Sequence, residues 1–132
     1  MKILWIEKYD DYIDFYLERL ELPNLDVLKC TNFDDAIRIL NRSSIDLIIS
    51  CHNTHKLGDS IEFKSVFEFY NELTPGLNII PFIVYSDFMY QDPMFHKFNN
   101  IDNLFLVAKV FETSNLRSII SLIDSSRYKK AG

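Results

Sequence analysis

Short, nearly uninterrupted apolar runs alternate with amphipathic segments along this chain, and this alternation constrains the fold more than any other feature. The clearest runs are residues 45–49 and 79–84. Neither has helical spacing, and both are shorter than an ordinary helix. Runs of this kind are typical of central strands in a parallel sheet, because both faces of such strands are buried.

The order of the elements predicts the architecture. The predicted strands occupy residues 2–7, 25–30, 45–51, 79–85 and 104–108, and a predicted helix follows each of them. The third helix is predicted over residues 60–73 after a polar loop at 52–59, and the Asp92-Pro93 pair predicts the start of the fourth. Right-handed crossovers place helices on both faces of a parallel sheet. We therefore predict an α/β fold, a three-layer, doubly wound, five-stranded parallel sheet.

Length and composition set the class of protein. A chain of 132 residues fits one domain, which we place at residues 1–124, with a polar tail or linker at 125–132. The net charge of −5 argues against a nucleic-acid partner, since phosphate binding needs clustered Lys and Arg. No apolar run approaches the roughly 18 to 20 residues that cross a bilayer. We expect a cytoplasmic protein without membrane contact, in which both cysteines are reduced.

Four separated segments resemble the response-regulator receiver domain family: residues 2–7, 45–51, 81–86 and 107–111. The resemblance implies a flavodoxin-like strand order, 2-1-3-4-5. It also implies a site where the strands end at their carboxyl edge. The corresponding positions in this chain are Glu7, Lys8, Cys51, Ser86 and Lys109.

Two of these positions depart from the family pattern. The family has an acidic pair after the first strand, where this chain has Glu7 and Lys8, and an aspartate at the end of the third strand, where it has Cys51. Cys51 cannot form an aspartyl phosphate, and an ammonium at Lys8 opposes Mg²⁺, which prefers several oxygen ligands. We expect no metal, no cofactor and no enzymatic activity, and instead a phosphorylation-independent pseudo-receiver.

The relay positions differ as well. Leu106 stands where the family has a switching aromatic residue, and Phe105 should face the other side of the strand. Lys109 is followed by Val110 instead of proline, and without a phosphoryl group we expect Lys109 to pair with Glu7. Ser86 matches the family, but a serine at a strand end also commonly caps a turn.

Residues 88–98 are rich in aromatic and methionine side chains, which protein interfaces favour. We predict an interaction surface on the face of helix 4, strand 5 and helix 5, used by a protein partner or by a second copy in a homodimer. Its predicted members are Phe88, Tyr90, Met94, Phe95, Phe98 and Leu106. The alternative is that these side chains fill the core.

Two other functions remain open for Cys51. It could be a reactive thiol in a redox-responsive module, with Lys109 favouring the thiolate and Glu7 opposing it. It could also join His52 and His55 in a metal site, although strand alternation sends neighbouring side chains to opposite faces. Hydrolase or nucleotide chemistry lacks a glycine-rich loop, since the chain has only three glycines.

Overall fold

The computed structural model describes residues 1–22, 25–56, 62–77, 79–86, 91–98, 101–107 and 113–131. The strands are β1 (Lys2–Ile6), β2 (Asp26–Cys30), β3 (Leu47–Cys51), β4 (Asn53–His55), β5 (Phe63–Ser65), β6 (Phe82–Tyr85) and β7 (Leu104–Val107). The helices are α1 (Asp10–Leu20), α2 (Phe33–Arg42), α3 (Val66–Glu72), α4 (Phe95–Phe98) and α5 (Thr113–Ala131).

The central sheet has five parallel strands in the order β2-β1-β3-β6-β7. Because β4 and β5 form a separate antiparallel pair, this is the predicted order 2-1-3-4-5. Every residue of β3 and β6 is buried, which explains why their sequences show no alternation. The predicted three-layer, doubly wound α/β fold is confirmed.

Side chains that alternate along the strands divide the core into two faces. One face, which we call the phenylalanine face, packs against α2, α3 and α4 and includes Phe33, Phe67, Phe69, Phe82 and Phe98. The opposite face, the tyrosine face, packs against α1 and α5 and includes Trp5, Tyr16, Cys51 and Tyr85. The two faces differ in chemistry, and the candidate site lies at the top of the tyrosine face.

The predicted helix over residues 60–73 is wrong in its first part. Phe63–Ser65 forms a strand that pairs antiparallel with Asn53–His55, and the helix begins only at Val66. The Ser65 hydroxyl caps α3 by accepting a hydrogen bond from the Phe67 amide, at 3.2 Å. The spacing of the apolar residues fits a helix here, but the Phe63 ring packs against His55 across the hairpin, with ring centroids 4.3 Å apart.

Three other boundaries differ from the sequence prediction. β6 begins at Phe82, because Ile79 is 72% exposed and precedes the sheet. α4 is a single turn from Phe95 to Phe98, shorter than the predicted 92–98. α5 continues to Ala131, so most of the predicted polar tail continues the helix, and the division at residue 124 stays a prediction. Within the described segments, no helix is both long and apolar enough to cross a membrane.

Candidate functional site

The parallel strands bring four of the five predicted positions to one edge of the sheet. Ile6 lies beside Ser50, and Cys51 lies beside Tyr85, so Glu7, Lys8 and Ser86 follow directly at the same edge. The Glu7 amide extends the ladder by donating to the Cys30 carbonyl at 3.0 Å. Lys109 lies outside the described residues, and its predicted pairing with Glu7 therefore stays a prediction.

Glu7 is buried, with only 4% of its surface exposed, and both of its carboxylate oxygens accept hydrogen bonds from this chain. Oε2 accepts from the Tyr9 amide at 2.9 Å, and Oε1 accepts from the Tyr85 hydroxyl at 3.0 Å. The Tyr85 hydroxyl in turn accepts from Trp5 Nε1 at 3.0 Å. A continuous chain of hydrogen bonds thus runs from Trp5 in the core to Glu7 at the sheet edge.

Burial raises the pKa of Glu7 above its ordinary value of 4.5. The hydrogen bonds from the Tyr9 amide and the Tyr85 hydroxyl, together with the positive charge of Lys8, act in the opposite direction. Because the net shift of the pKa is upward, the removal of this carboxyl from water outweighs the effect of its polar partners. Glu7 is therefore a solvent-shielded group held by internal contacts.

Lys8 contacts the β4–β5 hairpin. Its ammonium donates to Asn53 Oδ1 at 3.2 Å and lies 5.2 Å from the Phe63 ring centroid. It also lies 5.6 Å from the Tyr9 ring centroid, a distance at which a cation is attracted to the face of an aromatic ring. The hairpin, which the sequence prediction did not include, thus supplies two of the partners of Lys8.

Cys51 ends β3 as a buried thiol that is 6% exposed, and its Sγ donates to the Asn53 carbonyl at 3.2 Å. Burial, assisted by the negative charge of Glu7, raises the pKa of Cys51 to about 12. Burial is thus the largest influence on this thiol, ahead of the charges of Glu7 and Lys8. A thiol with so high a pKa is a poor nucleophile at neutral pH, because the thiolate is the reactive form.

The second cysteine cannot act with the first. Cys30 belongs to the phenylalanine face and Cys51 to the tyrosine face, with β1 between their strands. Both are free thiols, and burial also raises the pKa of Cys30 to about 12. The two thiols therefore lie on opposite faces of the sheet and two strands apart, out of disulfide reach.

The histidines near Cys51 have other neighbours. His52 Nε2 lies 2.8 Å from Asp92 Oδ2, whereas the His55 ring packs against Phe63. Among the residues that the structure describes, no group of three or more Cys, His, Asp or Glu could hold a metal ion. The arrangement therefore gives no support to a metal site built on Cys51, His52 and His55.

The relay positions lie near the fourth and fifth strands of the central sheet. The Ser86 amide donates to the Val107 carbonyl at 3.0 Å, which joins the end of β6 to the end of β7. Leu106 packs on the phenylalanine face and Phe105 on the tyrosine face, as strand alternation predicted. Val110 lies outside the described part of the chain.

The predicted interaction surface is partly core. Phe98 is 4% exposed and stacks on Phe67, with ring centroids 5.0 Å apart, so its assignment to a surface is wrong. Met94, Phe95 and Leu106 are half-buried and pack against the phenylalanine face. Phe88 and Tyr90 lie outside the described residues.

Exposed aromatic side chains occur instead around α1 and the hairpin, where the sequence argument did not place them. Tyr9 is 50% exposed, Tyr12 51%, Phe15 39% and Phe63 48%. The available signal was the spacing of Tyr9, Tyr12 and Phe15, which recur every three residues and share one side of the helix. Trp5 and Tyr85 were also missed, although their strand positions place them on the same face as Glu7 and Cys51.

No protein-family model matches the chain, and a search of curated proteins found no match. Its backbone is nevertheless similar to solved receiver domains. The signal receiver domain of an HD domain-containing protein from Pseudomonas fluorescens Pf-5 has a TM-score of 0.72 at 12% identity, over 98% of this chain and 90% of that one.

Two further receiver domains each have a TM-score of 0.69. The receiver domain of Francisella response regulator 1452 gives 0.69 at 15% identity, over 99% of this chain and 98% of that one. The signal receiver domain of a signal transduction histidine kinase from Syntrophus aciditrophicus gives 0.69 at 20% identity, over 95% and 90%. Likeness at such low identity establishes a shared fold, so the resemblance seen in the sequence is confirmed at the level of the fold: this chain has the fold of a response-regulator receiver domain.

Proposed function

We propose that this chain is a receiver-fold signalling module of two-component type that acts by binding another protein and does not depend on phosphorylation. It has no catalytic role in this proposal. The observation that carries the proposal is that both carboxylate oxygens of Glu7 are already engaged: one accepts from the Tyr85 hydroxyl and the other from the Tyr9 amide. The remaining support comes from Cys51 and Lys8.

A phosphorylated receiver needs a carboxylate acceptor and a divalent cation. At the acceptor position this chain has a thiol, Cys51, which is a soft ligand poorly suited to Mg²⁺. Octahedral Mg²⁺ is held by several oxygen ligands, but the one remaining carboxylate, Glu7, is buried and already bonded. The nearby positive charge of Lys8 acts on Glu7 and opposes a second cation there.

A protein is the partner that composition and surface favour. The net charge of −5 disfavours nucleic acid, and Met94, Phe95 and Leu106, which belong to the predicted surface of helix 4, strand 5 and helix 5, are half-buried. Apolar side chains that are only partly covered by the core can be buried further by a partner. We therefore assign the partner, or a second copy of the chain, to this face, in the cytoplasm.

The phosphorylation half of the proposal is tested by intact mass. The wild type, C51D and the double variant K8D/C51D are incubated with a small phosphodonor and Mg²⁺, beside a conventional receiver domain that establishes that the donor is active. The wild type and C51D should gain no phosphoryl group, because an acceptor alone does not rebuild the cation site. K8D/C51D restores an acidic pair, and at least a fraction of its molecules should gain a phosphoryl group.

Emission from Trp5, the single tryptophan, gives a second readout because Trp5 is linked to Glu7 through Tyr85. Titration with Mg²⁺ should leave the emission of the wild type unchanged. A stoichiometric, Mg²⁺-dependent gain of mass in the wild type contradicts the proposal outright. A saturable change of emission without a gain of mass contradicts the statement about the cation site.

The interaction half is tested separately. Sedimentation of the pure protein reports whether it forms a homodimer, and affinity capture from the native cell reports another partner. M94E places a charge on the α4 face and should abolish the association. F15E places the same charge on the exposed side of α1 and serves as the matched control. If F15E abolishes the association and M94E does not, the assigned face is wrong.

A further inference from the structure

One carboxylate outside the candidate site joins three separate elements. Asp92 precedes α4, and its Oδ2 lies 2.8 Å from His52 Nε2 and accepts a hydrogen bond from the Ser65 hydroxyl at 2.8 Å. Its Oδ1 accepts from the Met94 amide at 2.9 Å. Since a carboxylate only accepts hydrogen bonds, the proton of this contact lies on His52 Nε2. We call this arrangement of Asp92, His52, Ser65 and the Met94 amide the Asp92 clasp.

The clasp is sheltered from solvent. The side chain of His52 is 15% exposed and that of Asp92 is 10% exposed. Burial by itself raises the pKa of Asp92, but hydrogen bonds from the Met94 amide, His52 and Ser65 outweigh it and lower the pKa below the ordinary value of 3.8. Hydrogen bonds to a charged acceptor that is shielded from solvent contribute more than an exposed ion pair, such as Lys56–Glu62 of the same hairpin.

Because of where His52 and Ser65 lie, the clasp contacts both ends of the hairpin. His52 immediately precedes β4 and Ser65 ends β5, so Asp92 holds both ends of the hairpin at its base. The Val66 amide donates to the His52 carbonyl at 2.7 Å and closes the same base. On the other side, the Asp92 carbonyl accepts from the Phe95 amide at 2.9 Å, which starts α4.

The hairpin also contacts the sheet edge. Asn53 accepts from Lys8 through its side chain and from Cys51 Sγ through its carbonyl. A displacement of the hairpin therefore changes the surroundings of Lys8 and Cys51, and the clasp connects that displacement to α4. This route runs through Asp92 and uses neither Ser86 nor Lys109.

We propose that the Asp92 clasp makes the β4–β5 hairpin and α4 open and close as one unit. Breaking the clasp at either end loosens both elements, although they are far apart in sequence. The proposal goes beyond the proposed function, since it holds whether or not position 51 can be phosphorylated. It identifies a mechanical connection between the sheet edge and the α4 face that is independent of the family's relay positions.

Amide hydrogen exchange, resolved by residue, tests this coupling. The informative amides do not bond to Asp92 itself: Val66, at the base of the hairpin, and Lys97, which donates to the Met94 carbonyl at 3.0 Å. D92N should speed exchange at both by about tenfold or more, because charge-assisted bonds at both elements are lost. H52A removes one of the two hairpin contacts of Asp92 and leaves the Ser65 hydroxyl in place, and it should still speed exchange at Lys97.

E62Q is the matched control, because it weakens the exposed Lys56–Glu62 pair in the hairpin and leaves Asp92 intact. It should leave the amide exchange rates of Val66 and Lys97 unchanged. The proposal is overturned if D92N speeds amide exchange at Lys97 but not at Val66, since Asp92 is then only a helix cap. It is equally overturned if H52A leaves the exchange rate at Lys97 unchanged.

Global unfolding is monitored through the Ile48 amide, which donates to the Pro81 carbonyl within the central sheet. If D92N also speeds exchange at Ile48, S65A replaces it. S65A removes one of the three bonds to the carboxylate but also removes the cap of α3, so it is judged by exchange at Lys97 alone.

Discussion

The two faces of the sheet are built from aromatic residues in different ways. On the phenylalanine face, rings contact other rings: Phe33 stacks on Phe69 with centroids 4.7 Å apart, and Phe67 stacks on Phe98 at 5.0 Å. On the tyrosine face, Trp5, Tyr16 and Tyr85 also pack together, but Trp5 and Tyr85 carry polar atoms that form the chain to Glu7. One face supplies mainly apolar burial, and the other also links the core to the candidate site.

The difference separates two kinds of stability. Apolar contacts are non-directional, so their contribution depends mainly on the volume filled and the area removed from water. Buried hydrogen bonds are directional, and the loss of one partner leaves the other unsatisfied. Substitutions on the phenylalanine face should therefore lower the free energy of unfolding most. Substitutions on the tyrosine face should change the emission of Trp5 more specifically.

The largest effect is expected on the phenylalanine face. Phe69→Ala removes a ring that is completely buried between Phe33 and Phe82 and should lower the free energy of unfolding by about 3–5 kcal/mol. Urea denaturation followed by circular dichroism measures the change. Phe15→Ala on α1, where the ring is 39% exposed, is the control and should cost far less. Equal losses in the two variants contradict this difference in burial.

A smaller and more specific effect is expected on the tyrosine face. Tyr85→Phe keeps the ring but removes the hydroxyl, which leaves Trp5 Nε1 and one Glu7 oxygen without this partner. The free energy of unfolding should fall by about 1–3 kcal/mol, the usual cost of unsatisfied buried groups. The emission of Trp5 in the native state should shift as well.

Tyr12→Phe removes a hydroxyl from an exposed ring and is the matched control. It should change neither stability nor Trp5 emission. If Tyr85→Phe behaves like Tyr12→Phe, the hydrogen-bond chain does not contribute to the fold.

Sequence predicted the central sheet because its signals are local. The strands are apolar runs and the helices have apolar spacing, so their order and the crossover rule were sufficient for the topology. The hairpin was missed because Phe63 and Val66 fit a helical spacing equally well. Its pairing depends on His55 and Asn53, which the local pattern of residues 60–73 does not include.

The candidate site was predictable in position and unpredictable in its contacts. Parallel strands end at one edge, so Glu7, Cys51 and Ser86 had to lie near each other. The side-chain partner of Glu7 is Tyr85, 78 residues away, and its identity depends on the direction and length of a side chain. Asp92 was predicted only as a helix cap. It does accept from the Met94 amide, but its contacts with His52 and Ser65 depend on a hairpin that the sequence did not predict.

The smallest expected effect is a difference in pH dependence between Glu7 on the tyrosine face and Asp92 in the clasp. The pKa of Glu7 is raised above 4.5, so folded Glu7 keeps its proton where the unfolded chain has lost it. Its contribution to stability is complete below about pH 4.5 and is lost as the pH rises through the folded value. The lowered pKa of Asp92 acts oppositely, with a contribution present above 3.8 and lost as the pH falls through the folded value.

Glu7→Gln should therefore remove the loss of stability that begins as the pH rises above 4.5, whereas D92N should leave that window unchanged and flatten the curve below 3.8. Urea midpoints measured from acid to neutral pH give both curves. Glu18→Gln, an exposed change on α1, corrects for the altered net charge. If the difference between wild type and Glu7→Gln is the same at every pH, Glu7 does not titrate within the folded protein as its burial requires. The tyrosine face then differs from the phenylalanine face in hydrogen bonding alone.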